Sequence, residues 1–131
     1  MESVKTQSTL YFISVIAKLS GEIDYDDFKQ KTENINQIQD YIKTIKDNYQ
    51  IKCKNKHQRD KSITKLPSPT ILYDNNGHAF LLANHNQEQV LIQRFGHPAP
   101  EIWSHEELQK NWNGNWLHVK VKQGKFDISW F

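Results

Sequence analysis

The chain has 131 residues, 17 basic against 15 acidic side chains and a single cysteine, which fits one globular domain and excludes an internal disulfide. A net charge of +2 is too small for a surface that tracks phosphates, so no nucleic-acid partner is expected. The hydrophobic fraction of 37% is low, but those residues fall in blocks bounded by turn residues, a pattern that disordered chains lack.

No basic, apolar and small-residue leader opens the chain, so the reducing cytosol is the expected compartment. From Leu10 to Leu19 apolar residues cover nearly the whole circumference of a helix, which predicts a buried helix too short to cross a bilayer. Ser20-Gly21 stops it, and Asp24 caps a short acidic turn ending near Phe28. Ile35, Ile38, Ile42, Ile45 and Tyr49 recur at three- and four-residue steps and predict a one-sided helix. Ile51 to Lys54 alternates like a strand, Asn55 to Lys65 reads as loop or a weak helical turn, and Leu66-Pro67-Ser68-Pro69 closes that segment.

Thr70 to Tyr73, the turn Asp74-Asn75-Asn76-Gly77, and Ala79 to Leu82 read as strand, turn, strand, with the glycine supplying a positive φ. A second turn at Asn84 to Gln87 leads into Val90-Leu91-Ile92 and on to Phe95, for three antiparallel strands. Pro98 and Pro100 break the pattern. Ser104-His105-Glu106-Glu107 then matches a capping box before a short helix ending near Trp112, and Trp116 to Val121 is the last strand. Helices followed by a meandering sheet with one interposed helix define an α+β domain, helices packed on an antiparallel β-sheet.

Six histidines invite a metal site, but their spacing shows neither the paired pattern of a helical zinc motif nor a nearby cysteine pair, so none is expected. Cys53 would be a nucleophile only if a histidine approached it in the fold, and a strand beside Lys52 and Lys54 supplies no helix N-terminus to lower its pKa. Lys52, Lys54, Lys56 and Arg59 form a basic edge, read as protection against self-association or as a surface for an acidic partner. Of the four tryptophans, most are expected in the core. Asp127 to Phe131 ends on apolar residues, either as a packed C-terminal strand or as the start of a further apolar segment.

The buried first helix after a short polar segment, Leu66-Pro67-Ser68-Pro69-Thr70-Ile71-Leu72 leading to Gly77-His78-Ala79-Phe80-Leu81-Leu82, and Glu106-Glu107-Leu108 before Trp112-Asn113-Gly114 together resemble a known family. It is the papain-like cysteine peptidase domain at the N-terminus of bacterial ABC exporters. Lys125 to Phe131 looks especially like the junction that, in haemolysin-type exporters of type I secretion, joins this domain to the first transmembrane helix. The resemblance implies a papain-like fold over residues 1–131, followed by transmembrane and nucleotide-binding domains.

In active members of that family a cysteine at the start of the first helix is the nucleophile, a strand histidine is its base and an aspartate on the next strand orients the histidine. A glutamine six residues before the cysteine helps form the oxyanion hole. Carried onto this sequence, those positions fall on Ser8, Ala79, Arg94 and Glu2, with His78 a residual base only if a bulge at Gly77 turns it inward. Ser8 without a base is read instead as the N-cap of the first helix.

What the resemblance implies is therefore a non-catalytic domain on the cytoplasmic side of the bacterial inner membrane, binding an unfolded RTX-type protein for export. Its binding patch is placed on Tyr73, His78, Phe95 and His97. No cofactor is expected in this domain, and ATP is expected in the full-length transporter. Further partners would be the transporter's own membrane and nucleotide-binding domains, a membrane fusion protein and an outer-membrane channel. Two alternatives stay open: an active cysteine peptidase that cleaves double-glycine leader peptides, and a soluble adaptor with no transporter attached.

Overall fold

A computed structural model describes residues 3–121; Glu2 and the Lys125 to Phe131 junction lie outside the described residues. Three helices, α1 (Val4–Ser20), α2 (Tyr25–Thr32) and α3 (Ile38–Tyr49), precede β1 (Lys52–His57), β2 (Thr70–Asp74), β3 (Ala79–His85), β4 (Gln89–Arg94) and β5 (Glu101–Ser104). The chain continues through α4 (His105–Asn111) into β6 (Trp112–Lys120). The strands form one six-stranded antiparallel sheet in the order β1-β6-β2-β3-β4-β5.

Two cores sandwich this sheet, and strict alternation along the strands separates them. Ile71, Tyr73, Ala79, Leu81, Leu117 and Val119 meet α1 to α3 through Phe12, Ile13, Phe28 and Ile45. Leu72, Phe80, Leu82, Trp112 and Trp116 face the other way, where Val90, Ile92, Trp103, Leu108 of α4 and the loop residues Ile63 and Leu66 close over them.

The first helix differs from its expected form in two ways. It begins at Val4, capped by Ser3, whose side chain accepts from the Thr6 N–H, and ends at Gly21 with φ 68°. Ser8 is therefore inside the helix and is not its N-cap. The extra turn is polar, so apolar periodicity does not reveal it. Nor is the helix buried all round: Ser8, Thr9, Phe12, Ile13, Ile16 and Ala17 form one buried face, while Tyr11 and Leu19 are 49% and 64% exposed. Three helices on one side of a sheet leave the outermost face of each in solvent, whatever residues it carries.

Elsewhere the elements follow the sequence more closely, with longer ends. The capping box at Ser104 forms as its motif predicts, Glu107 N–H donating to Ser104 Oγ at 3.0 Å and Ser104 N–H to Glu107 Oε1 at 3.4 Å. Strand β5 is the element that sequence reading missed, because four residues behind Pro98 and Pro100 carry too little alternation to register. Strand β6 starts at Trp112, well before Trp116. Gly114 permits this: at φ 96° it lies so close to β1 that a Cβ would meet the Gln58 carbonyl oxygen at 2.7 Å.

That close approach gives a test. Gly114→Ala should cost more than about 2 kcal/mol, since strain and a backbone clash add. Gly21→Ala, with nothing within 4 Å of the added methyl, should cost only about 1 kcal/mol. Urea denaturation of the two variants would show the ranking, and equal losses would contradict it.

Candidate functional site

The site is built where the second turn of α1 abuts the start of β3. Ser8 is fully buried; its hydroxyl donates to the Lys5 carbonyl at 3.1 Å and accepts from the Ala79 N–H at 3.0 Å. Beside it Thr9 Oγ1 and the Tyr73 hydroxyl share a hydrogen bond of 3.2 Å. Tyr73 and Ala79 face each other across β2 and β3, so adjacent side chains of one helical turn grip one cross-strand pair.

The preceding turn decides where His78 goes. Asp74 Oδ1 accepts from the Asn76 and His78 N–H groups at 2.8 and 2.9 Å, and Gly77 turns the chain with φ 81°. His78 N–H is thereby held in the turn, its side chain is exposed, and the strand proper begins at Ala79. The buried position against Ser8 Oγ thus belongs to the alanine, which carries neither base nor acid.

The sheet register relocates the third position. Phe80 pairs with Arg94, and Phe80 belongs to the core away from α1, so the arginine side chain lies on the face opposite Ser8. There Arg94 Nε donates to Glu101 Oε2 at 2.6 Å, and Trp103 Nε1 donates to Glu101 Oε1 at 3.3 Å. The hydrogen bond from Arg94 holds the Glu101 carboxyl below the usual carboxylate range. One residue past the end of β4, packed on the α1 side, comes Phe95. It is half-buried, with its ring 5.6 Å from Tyr11 and 6.4 Å from Phe12. Arg94, the residue onto which the resemblance carries the third position, and its neighbour Phe95 therefore lie on opposite sides of the sheet, because a one-residue step along a strand changes the face.

Of the four residues placed in a binding patch, the structure brings three together. His78, Phe95 and His97 line a cleft of about 200 Å³, with Asp74, Arg94 and Trp103 among its other walls. Tyr73 does not join them: it is only 5% exposed, its hydroxyl bonds to Thr9, and it packs in the α1 core. Its cross-strand alternation with Leu72 would have indicated that. Among the cleft residues that sequence reading missed, Val4 and Trp103 come from a helical turn and a strand that it did not foresee, while Asn111 ends the α4 helix that it did.

Cys53 is on the α1 side of β1, and burial pushes its thiol up to about 12. A thiol so protonated is a poor nucleophile. Among the described residues no group of three or more His, Cys, Asp or Glu side chains could hold a metal ion.

A helix docked by its second turn on the central strands of an antiparallel sheet, with the strand behind it completing a polar-lined cleft, is the architecture of papain-like cysteine peptidases. Residues 20–124 match the model of the Peptidase C39 family. The chain belongs to that family. The matched stretch begins at the last residue of α1, so Ser8 precedes it.

Solved structures share the fold at low identity. The N-terminal peptidase C39-like domain of a toxin secretion ATP-binding protein from Vibrio parahaemolyticus is 16% identical with a TM-score of 0.60, over 93% of this chain and 99% of that one. A double glycine motif protease from an AMS/PCAT transporter, solved with its leader peptide, is 14% identical with a TM-score of 0.62, over 93% and 88%. The peptidase domain of Streptococcus ComA, a bifunctional ABC transporter of a quorum-sensing pathway, is 13% identical with a TM-score of 0.59, over 84% and 88%. No curated protein matches the sequence.

Two measurements follow from this geometry. Ser8→Ala should destabilise the domain by about 1–3 kcal/mol in chemical denaturation, because it leaves the buried Ala79 N–H without an acceptor; an unchanged midpoint would contradict the contact. Cys53 should resist iodoacetamide at pH 8 in the folded protein and react once it is unfolded, since that pH is far below its titration.

Proposed function

We propose that this is a non-catalytic docking domain of a type I secretion ABC transporter, which holds an unfolded RTX-type protein near the export path. The observation that carries the reading is the locus at Ser8: a buried hydroxyl satisfied by two backbone groups, an alanine against it and a phenylalanine, Phe95, packed on the same side of the sheet. Acyl transfer by a hydroxyl needs a base to take its proton and a third group to orient that base. None of these three side chains titrates near neutral pH.

The transporter setting draws support from the relatives: the structures from Vibrio parahaemolyticus and Streptococcus are described as domains of a toxin secretion ATP-binding protein and of an ABC transporter. Membrane and nucleotide-binding domains would then follow on the same polypeptide, on the cytoplasmic side of the inner membrane. A membrane fusion protein and an outer-membrane channel would complete the export path. ATP would be bound by those later domains, and a reading frame that lacks a P-loop downstream would favour the soluble adaptor instead. Among the described residues no helix is long and apolar enough to cross a membrane.

Binding without cutting is a reasonable use of the cleft. His78 and His97 bring polar edges and Phe95 and Trp103 apolar surface, a mixture suited to weak contact with an extended chain. The rival reading, an active peptidase, rests on the structure of a double glycine motif protease with its leader peptide, and would have to use Cys53.

Double-glycine leader peptides should therefore survive incubation with the domain, and Ser8→Cys should not create turnover, because Ala79 supplies no base. An NMR titration with an unfolded RTX chain should shift residues around His78, Phe95 and His97, whereas the calcium-folded chain should not. Leader cleavage abolished by Ser8→Ala or Cys53→Ala, or binding of the folded chain alone, would overturn the reading.

A further inference from the structure

Strand β1 is one edge of the sheet, and among the described residues only β6 pairs with it. Its side chains alternate. Cys53 packs towards the helical core, whereas Lys52, Lys54 and Lys56 project from the opposite face and are exposed. The register extends this charge inward: Lys52 faces Lys120 and Lys54 faces His118. Lys56 faces Trp116, with its ammonium 5.5 Å from the centre of the indole ring.

Like charges directly opposite each other destabilise a sheet, and among the described residues no carboxylate pairs with these lysines. The ion pairs among the described residues, Lys31 with Asp27 and Arg94 with Glu101, lie elsewhere. Burial, and then the charges of Lys56 and Lys120, holds His118 below the usual imidazole range. Lysines on an edge strand blunt self-association, which accounts for Lys52, Lys54 and Lys56. It does not account for Lys120, which sits on an interior strand directly against Lys52.

We infer that β1 is a docking edge for an extended acidic segment of another polypeptide, which adds as a further strand and sets alternate carboxylates against Lys52, Lys54 and Lys56. Strand addition fits because an edge offers unpaired backbone groups, and cross-strand neighbours about 5 Å apart pair opposite charges directly. A membrane is disfavoured: among the described residues the exposed large apolar side chains Val4, Tyr11, Leu19, Leu91 and Ile102 all lie on other elements and give this face no apolar anchor. Nucleic acid is disfavoured too, since Trp116, the tryptophan on this face among the described residues, is 6% exposed and cannot stack a base. The inference concerns a different edge from the cleft of His78 and Phe95 and does not rest on the docking role proposed for it.

The test uses the 131-residue chain and a capped peptide of four Asp-Thr repeats, followed by backbone amide NMR at low salt. Shifts should concentrate in residues 52–57 and 116–120. A variant carrying Lys52→Glu, Lys54→Glu and Lys56→Glu should bind at least about tenfold more weakly, with the three Lys→Gln changes as a milder set should the reversal impair folding. The same peptide with alternate backbone nitrogens methylated keeps its charges and should also lose binding. The proposal is overturned by no binding, by shifts elsewhere, by equal binding of the methylated peptide, or by tighter binding at these lysines of phosphatidylglycerol vesicles or oligodeoxythymidine.

Discussion

The contact on which this domain is organised is the hydrogen bond from the buried Ala79 N–H to Ser8 Oγ. It joins the second turn of α1 to the first residue of β3, and the Thr9 to Tyr73 bond beside it fixes the helix against rotation. A backbone N–H buried there without an acceptor would be costly, so a small hydroxyl side chain at position 8 suits packing irrespective of any chemistry. From Ala79 the side chains of β3 alternate, Ala79 and Leu81 going to the helices and Phe80 and Leu82 to the other core.

From that alternation follows the character of the site. On the α1 side of the sheet the central strands present Ala79 against Ser8, with Phe95 packed nearby. The charged pair Arg94 and Glu101 is real and close, but it holds β4 to β5 on the far side. The neighbouring cleft of His78, His97 and Trp103 is built independently of that face, because those residues come from the turn after β2, the loop after β4 and strand β5. Recognition and chemistry are built from separable parts of the fold.

Much of the fold was legible because it rests on local rules. The steps from Ile35 to Tyr49 marked the face that α3 buries through Tyr41 and Ile45, the Asp-Asn-Asn-Gly run gave the β2 to β3 turn, and Ser104 with Glu107 gave the start of α4. The misreadings share one cause. The polar first turn of α1 and the short β5 carry little hydrophobic signal, and their existence depends on partners distant in the chain. The resemblance through the Leu-Pro and Gly-His-Ala-Phe segments pointed to the right family, yet it could not settle side-chain directions.

The sequence by itself determined the α+β class, the order of most elements and the absence of a cysteine where α1 meets the sheet. Only the tertiary structure decided that Ser8 is a helix-interior acceptor, that Phe95 packs on the α1 side while Arg94 points to the far face, and that Tyr73 belongs to the core. Strand register is the physical reason: a shift of one residue exchanges the two faces of a strand, and that choice is made by packing against distant elements.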